Sequence, residues 1–124
     1  MTRILVVDDD PEILRSFRRF LELAGCHVET ASNVRAAVRL LGQFPVEVVI
    51  TDLIMEDQDG LSLLRLVRAE HPSVRVIAIS GGGLSAPDSY LATALRLGAH
   101  AAYRKPVPMD TLLAEIRAWT NSAP

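Results

Sequence analysis

The sequence predicts an α/β protein, one domain built on a doubly wound, five-stranded parallel sheet. Three observations predict it. Short apolar runs alternate with segments whose apolar residues recur at helical spacing, from one end of the chain to the other. The runs at 4–7 and 46–51 are apolar almost throughout, as in strands covered on both faces. Each helical segment falls between two strands, where a crossover between parallel strands has to be.

The elements follow in order. Residues 4–7 form the first strand. Asp10, Pro11 and Glu12 start a helix, with Asp10 as cap, Pro11 in the first turn and an acid at the positive end of the dipole. Ile13, Phe17, Phe20, Leu21 and Ala24 are its apolar stripe, and Gly25 stops it. Residues 27–31 are a short second strand. Ser32 or Asn33 caps the second helix, whose inner face is Val34, Ala37, Val38 and Leu41, and Gly42 and Pro45 close it. Residues 46–51 are the third strand. Asp57, Gln58, Asp59 and Gly60 turn into a third helix with Leu61, Leu64 and Val67 inward and Arg65 and Arg68 outward, ended by His71 and Pro72. Residues 74–79 are the fourth strand, followed by a mobile loop at Ser80, Gly81, Gly82 and Gly83. Asp88 caps the fourth helix, with Leu91, Ala94 and Leu95 inward and Gly98 at its end. Residues 101–104 are the fifth strand, Lys105 and Pro106 a turn, and Leu112, Leu113, Ile116 and Trp119 line the last helix. The end from Thr120 to Pro124 frays; the domain is taken as 1–121 and 122–124 as a tail.

Size and composition narrow the function classes. A chain of 124 residues, 49% hydrophobic and 23% charged, suits one ordinary globular domain. Thirteen basic against fifteen acidic residues give a net charge of −2, with the arginines scattered, so nothing favours nucleic-acid binding by this chain. No apolar stretch approaches the roughly 20 residues of a membrane span, and the N-terminus runs into a strand without a signal peptide, so a cytoplasmic location is expected. Cys26, the single cysteine, reads as a packing residue. His27, His71 and His100 read as surface histidines.

Parallel strands share a carboxyl edge, and ligands of such sheets bind there, where the strand order reverses. The first strand ends in Asp8, Asp9 and Asp10, the third in Asp52, the fourth in Ser80 and the fifth leads to Lys105. Converging carboxylates repel one another in a partly dry cleft. A divalent cation is the simplest remedy, and an oxygen donor set favours Mg²⁺. Asp10 is better explained as the helix cap than as a ligand. Singly, each feature has an ordinary reading: a solvated acidic turn, a strand-terminal cap, a surface lysine before proline, a loop serine. Their joint occurrence on four strand ends points to a site.

Taken in order, Ile4-Leu5-Val6-Val7-Asp8-Asp9-Asp10-Pro11-Glu12, Thr51-Asp52-Leu53-Ile54-Met55, Asp59-Gly60, Ile79-Ser80-Gly81, Leu97-Gly98-Ala99 and Lys105-Pro106 resemble the receiver domain of bacterial two-component response regulators, of the chemotaxis-regulator type, over essentially the whole chain. The resemblance implies a flavodoxin-like sheet of order 2-1-3-4-5. It implies Asp52 as phosphoacceptor for a histidine kinase or histidine phosphotransfer protein, and Asp8 and Asp9 as the acidic pair that holds Mg²⁺, with Asp52 and the backbone carbonyl of Ile54 completing the ligands. Ser80 would turn its hydroxyl to a phosphoryl oxygen, and Lys105, before a cis proline, would pair with another. Such a chain is a phosphorylation-controlled switch and not an enzyme beyond self-phosphorylation and slow autodephosphorylation. Its downstream effector is not written in the sequence, and a phosphorylation-dependent homodimer through the fourth and fifth helices is one option. The alternative is the receiver part of a longer DNA-binding transcription factor or hybrid histidine kinase. Phosphoryl transfer relies on positioning and charge neutralisation, which Mg²⁺ and Lys105 would supply.

Some positions depart from the family pattern. Three residues before Lys105, where the family commonly carries an aromatic, stands Ala102; Tyr103 follows it and, one step along a strand, faces the other way, toward core or helix packing. Glu56 stands where proline is common. Ile54 and Gly82 replace polar residues that position water, which implies slow loss of the phosphoryl group. Two other functions fit less well. A flavin carrier on this fold would need a phosphate-binding loop where Asp8, Asp9 and Asp10 would repel phosphate. A phosphohydrolase of the haloacid-dehalogenase type would need an acid two places after Asp52, where Ile54 stands.

Overall fold

The computed structural model describes residues 1–55, 60–81 and 88–120. Among these, the chain alternates strand and helix throughout: β1 (Arg3–Val7), α1 (Pro11–Leu23), β2 (His27–Ala31), α2 (Val34–Gln43), β3 (Val48–Asp52), α3 (Gly60–Glu70), β4 (Arg75–Ser80), α4 (Asp88–Arg96), β5 (Ala101–Arg104) and α5 (Met109–Thr120). The strands form one parallel sheet in the order β2-β1-β3-β4-β5. From β1 the chain steps outward to β2, then returns past β1 to β3. The order therefore reverses between β1 and β3, where the edge opens into a crevice.

Side-chain alternation divides the core into two layers. Leu5, Val7, Val49, Val76 and Ala78 face one side, under α2, α3 and α4, where Ala37, Leu63, Leu64, Val67 and Ala94 cover them. Ile4, Val6, Val48, Ile50, Ile77 and Ile79 face the other, under Phe17 and Leu21 of α1 and Leu112 and Ile116 of α5. Both faces of the sheet are dry, so the central strands carry apolar residues at successive positions.

Local signals place the helices as expected. Asp10 caps α1, its side chain accepting the Glu12 N–H at 2.9 Å. Asn33, and not Ser32, caps α2, accepting the Ala36 N–H at 2.8 Å. Gly25 (φ 93°) and Gly98 (φ 109°) follow α1 and α4 in the left-handed region, which glycine enters without a Cβ clash. Among the described residues no helix is long and apolar enough to cross a membrane.

The structure corrects several expectations. β3 starts at Val48; Val46 precedes it, its N–H bonded to the Phe44 carbonyl, yet still packs on the α2/α3 layer. α2 continues through Gly42 to Gln43. Val38 is 37% and Leu95 49% exposed, because each follows a sheet-facing alanine and one helical step turns a side chain about 100° away. Arg68 is half-buried; its guanidinium bonds the Pro72 carbonyl and its stem lies against Gly98. His100 is not a plain surface histidine: Nδ1 accepts the Val76 N–H at 3.0 Å and the ring meets Trp119 edge-on. Thr120 remains in α5, its hydroxyl bonded to the Ile116 carbonyl at 2.8 Å. Cys26 is half-buried against the α1/α5 layer, and burial pushes its thiol up, which fits packing. The turn at 57–59, Glu56, Gly82, Gly83 and the residues from 121 to 124 lie outside the described residues; so does the Asp88 side chain, although α4 begins at that residue.

Candidate functional site

Asp8 directly follows β1, and Asp52 is the last residue of β3, at the point where the strand order reverses. Their side chains are almost fully buried, with residue exposures of 3% and 6%. Asp9, one residue on, is exposed. One carboxylate oxygen from each of Asp8, Asp9 and Asp52 lies within 4.8 Å of the others. A Mg²⁺ ion keeps oxygens about 2.1 Å from itself, so neighbouring ligands stand about 3 Å apart and opposite ones about 4 Å. The three acids lie close enough together to share such an ion after small side-chain adjustments, and the donor set is all oxygen, which suits Mg²⁺.

Lys105 completes the cluster. Its Nζ donates to Asp8 Oδ2 at 2.9 Å and to Asp52 Oδ2 at 3.4 Å. The backbone tie brings it there: the Lys105 N–H bonds the Ser80 carbonyl at 2.9 Å, joining the end of β5 to that of β4. The Lys105-Pro106 peptide is cis. Asp8 is held at both oxygens, because its Oδ1 accepts the Asp10 N–H at 2.9 Å. Asp10 itself points to the helix cap and is not among the clustered acids.

Charge and burial oppose one another at Asp52. Burial, then the neighbouring Asp8, push its carboxyl above the usual range, while Lys105 and the Ile54 N–H (3.3 Å to Oδ1) pull it back only in part. For Lys105, burial favours the neutral amine, but the hydrogen bond to Asp8 and the charge of Asp52 outweigh it, so the ammonium is held more firmly than usual. An ionised Asp52 is thus an electron-rich, poorly solvated carboxylate beside a fixed cation.

Ser80 is buried at the end of β4, one residue beyond Ile79, the partner of Asp52 in the ladder. Its hydroxyl donates only weakly, to the Gly81 carbonyl at 3.4 Å. Strand alternation sets it with Ala78 on the α3/α4 side, whereas Asp8, Asp52 and Lys105 continue the α1/α5 side. Ile54, two residues after Asp52, is 38% exposed. Tyr103 packs in the α1/α5 layer, as its position predicts, with its hydroxyl buried and without a hydrogen-bond partner among the described residues. Ala102 faces the opposite layer, with Tyr90 and Leu91 of α4.

Two features of the site escaped the sequence reading. The resting pairing of Lys105 with Asp8, shorter than that with Asp52, has no signal in residue order. Gly60, read as part of a turn and of the Asp59-Gly60 motif but given no role in the site, lies with its Cα against the backbone of Asp52 and Leu53; a glycine opening a helix after a strand-end acid was the available signal.

Comparison with known proteins agrees with this geometry. The model of the response regulator receiver domain family matches residues 4–117. The transcriptional regulatory protein KdpE of Mycobacterium tuberculosis is 38% identical over 118 residues, covering 95% of this chain and 50% of its own length. This chain spans half or less of the length of the first curated relatives it matches. A response regulator receiver domain protein from Clostridium thermocellum superposes with a TM-score of 0.87 at 32% identity, covering 98% of this chain and 95% of that one. The beryllofluoride-activated NtrC4 receiver domain dimer superposes with a TM-score of 0.86 at 30% identity, covering 98% of both chains.

Proposed function

We propose a function for this chain from its family: it belongs to the response regulator receiver domains, whose model covers most of its length. Our reading is a phosphoacceptor switch of a two-component relay. A carboxylate oxygen of Asp52 attacks the phosphorus of a phosphohistidine on a kinase or phosphotransfer protein. The P–N bond breaks, its electron pair stays on the donor nitrogen, which takes up a proton, and Asp52 becomes an acyl phosphate. Held by Asp8, Asp9, Asp52 and the Ile54 carbonyl, Mg²⁺ would supply positive charge opposite the transferring oxygens. Lys105 redirects its ammonium from Asp8 to a phosphoryl oxygen, and Ser80 turns its hydroxyl to another, which draws the ends of β4 and β5 into a second arrangement. With Ile54 and Gly82 offering no polar side chain to water, the acyl phosphate hydrolyses slowly.

The observation that carries this reading is the gathering of three acids, two of them paired with one ammonium, at the reversal point of the sheet. The NtrC4 receiver was seen as a dimer when activated by beryllofluoride, which supports phosphorylation-dependent self-association here. Several of the curated relatives, KdpE among them, are transcriptional regulators of greater length, which favours, as a second reading, a receiver that acts on an effector domain within one longer polypeptide. A cytoplasmic location goes with either. Intact mass after incubation with acetyl phosphate tests the proposal. We expect one added phosphoryl group with Mg²⁺, little without it, and none in Asp52→Asn; label retained in Asp52→Asn would overturn it.

A further inference from the structure

Gly60 opens α3 immediately behind the phosphoacceptor, and its close approach is unusual. A Cβ built there would fall on the Asp52 carbonyl oxygen and lie 2.7 Å from the Leu53 Cα and 3.0 Å from the Asp52 carbonyl carbon. The backbone φ lies outside the left-handed region, so conformation does not require glycine; space does. The contact is fixed from both sides. Gly60 donates its N–H to the Leu53 carbonyl at 3.0 Å, and Leu53 donates to the Ile79 carbonyl at 2.8 Å. The Asp52 carbonyl that a methyl would meet already accepts the Thr51 hydroxyl at 3.0 Å. The helix cannot retreat freely, because Leu63, Leu64 and Val67 anchor it with no exposed surface in a close-packed layer. A side chain at 60 would therefore press on the strand end that carries Asp52.

We infer that Gly60 is a positioning residue for phosphoryl transfer: its missing side chain lets the start of α3 seat the Asp52 backbone so that the carboxylate meets Asp8, Asp9 and Lys105. This rests on the reading of Asp52 as phosphoacceptor. Displacement of a reacting group by about 1 Å slows a positioned reaction up to about 100-fold.

The test compares the full chain with Gly60→Ala, Gly42→Ala and the double variant. Gly42 lies within α2, and a Cβ there meets nothing within 4 Å. Gly42→Ala should raise thermal stability and leave labelling unchanged, because alanine favours helix over glycine. We expect Gly60→Ala to fold and to label with acetyl phosphate roughly 10- to 100-fold more slowly at saturating Mg²⁺ and donor. In the double variant thermal stability should recover while the maximal labelling rate stays low, which a merely structural role would not produce. A Gly60→Ala protein that fails to fold, labels at the normal rate, or regains its rate along with its stability overturns the inference. A parent chain that takes no label on Asp52 overturns the underlying reading instead.

Discussion

Lys105 Nζ lies 2.9 Å from Asp8 Oδ2 and 3.4 Å from Asp52 Oδ2, so the ammonium is engaged more closely with Asp8 than with the proposed phosphoacceptor. That pair neutralises a carboxylate that is only 4% exposed. Lys105→Met leaves Asp8 without its cation. In the absence of metal we expect a stability loss of about 1–3 kcal/mol, the cost of leaving a buried charged group short of a partner. Urea denaturation followed by circular dichroism measures it. Added Mg²⁺ should recover part of the loss, and an unchanged midpoint in chelator would refute the pairing.

Mg²⁺ itself should stabilise the native chain, since the three acids converge only in the fold. A ligand at 100 times its dissociation constant adds about 2.7 kcal/mol. We expect the thermal midpoint to rise with Mg²⁺ concentration, and Asp9→Asn to move the whole dependence to higher concentration. A midpoint indifferent to Mg²⁺ in the native chain would count against the site.

Asp10 separates capping from ligation. Its side chain accepts the Glu12 N–H and takes no part in the acidic cluster. Asp10→Ala should cost about 1 kcal/mol through the lost cap and leave the Mg²⁺ midpoint concentration where it was. A tenfold weaker Mg²⁺ response would make Asp10 a ligand after all.

His100 gives the fold a pH dependence remote from the site. Burial first, then Arg68 and Arg75, push its imidazole below the ordinary value of 6.5, and the Val76 N–H needs Nδ1 unprotonated. The folded state therefore binds the proton less readily than the unfolded chain. Stability from this residue is complete above pH 6.5 and is lost as pH falls from there toward the depressed folded value. Urea midpoints between pH 8 and pH 5 should show this fall, and His100→Leu should flatten it; an equal fall in both proteins would assign the dependence to other groups.

The fold was legible because dry parallel strands and sheet-facing helix stripes leave a strong periodic record in the chain. The same record blurs at its edges. Val38 and Leu95 are apolar neighbours of sheet-facing alanines, and apolarity alone does not tell which of two adjacent residues faces inward. The candidate acids were legible because each terminates a strand, and topology carries strand ends to one edge. What residue order does not encode is the through-space detail: which carboxylate Lys105 prefers, that His100 accepts a backbone N–H from β4, and that Gly60 lies on the Asp52 backbone.

Trp119 has Arg75 over its ring at 5.8 Å and His100 at its side, where β4 begins. Arg75 pairs with Val48, four residues before Asp52, a distance of about 13 Å along the ladder. The lone indole is thereby an optical probe of the opposite end of the molecule, quiet toward chemistry at the acids. Emission that changes when a phosphoryl group arrives would report a rearrangement transmitted across the full height of the sheet.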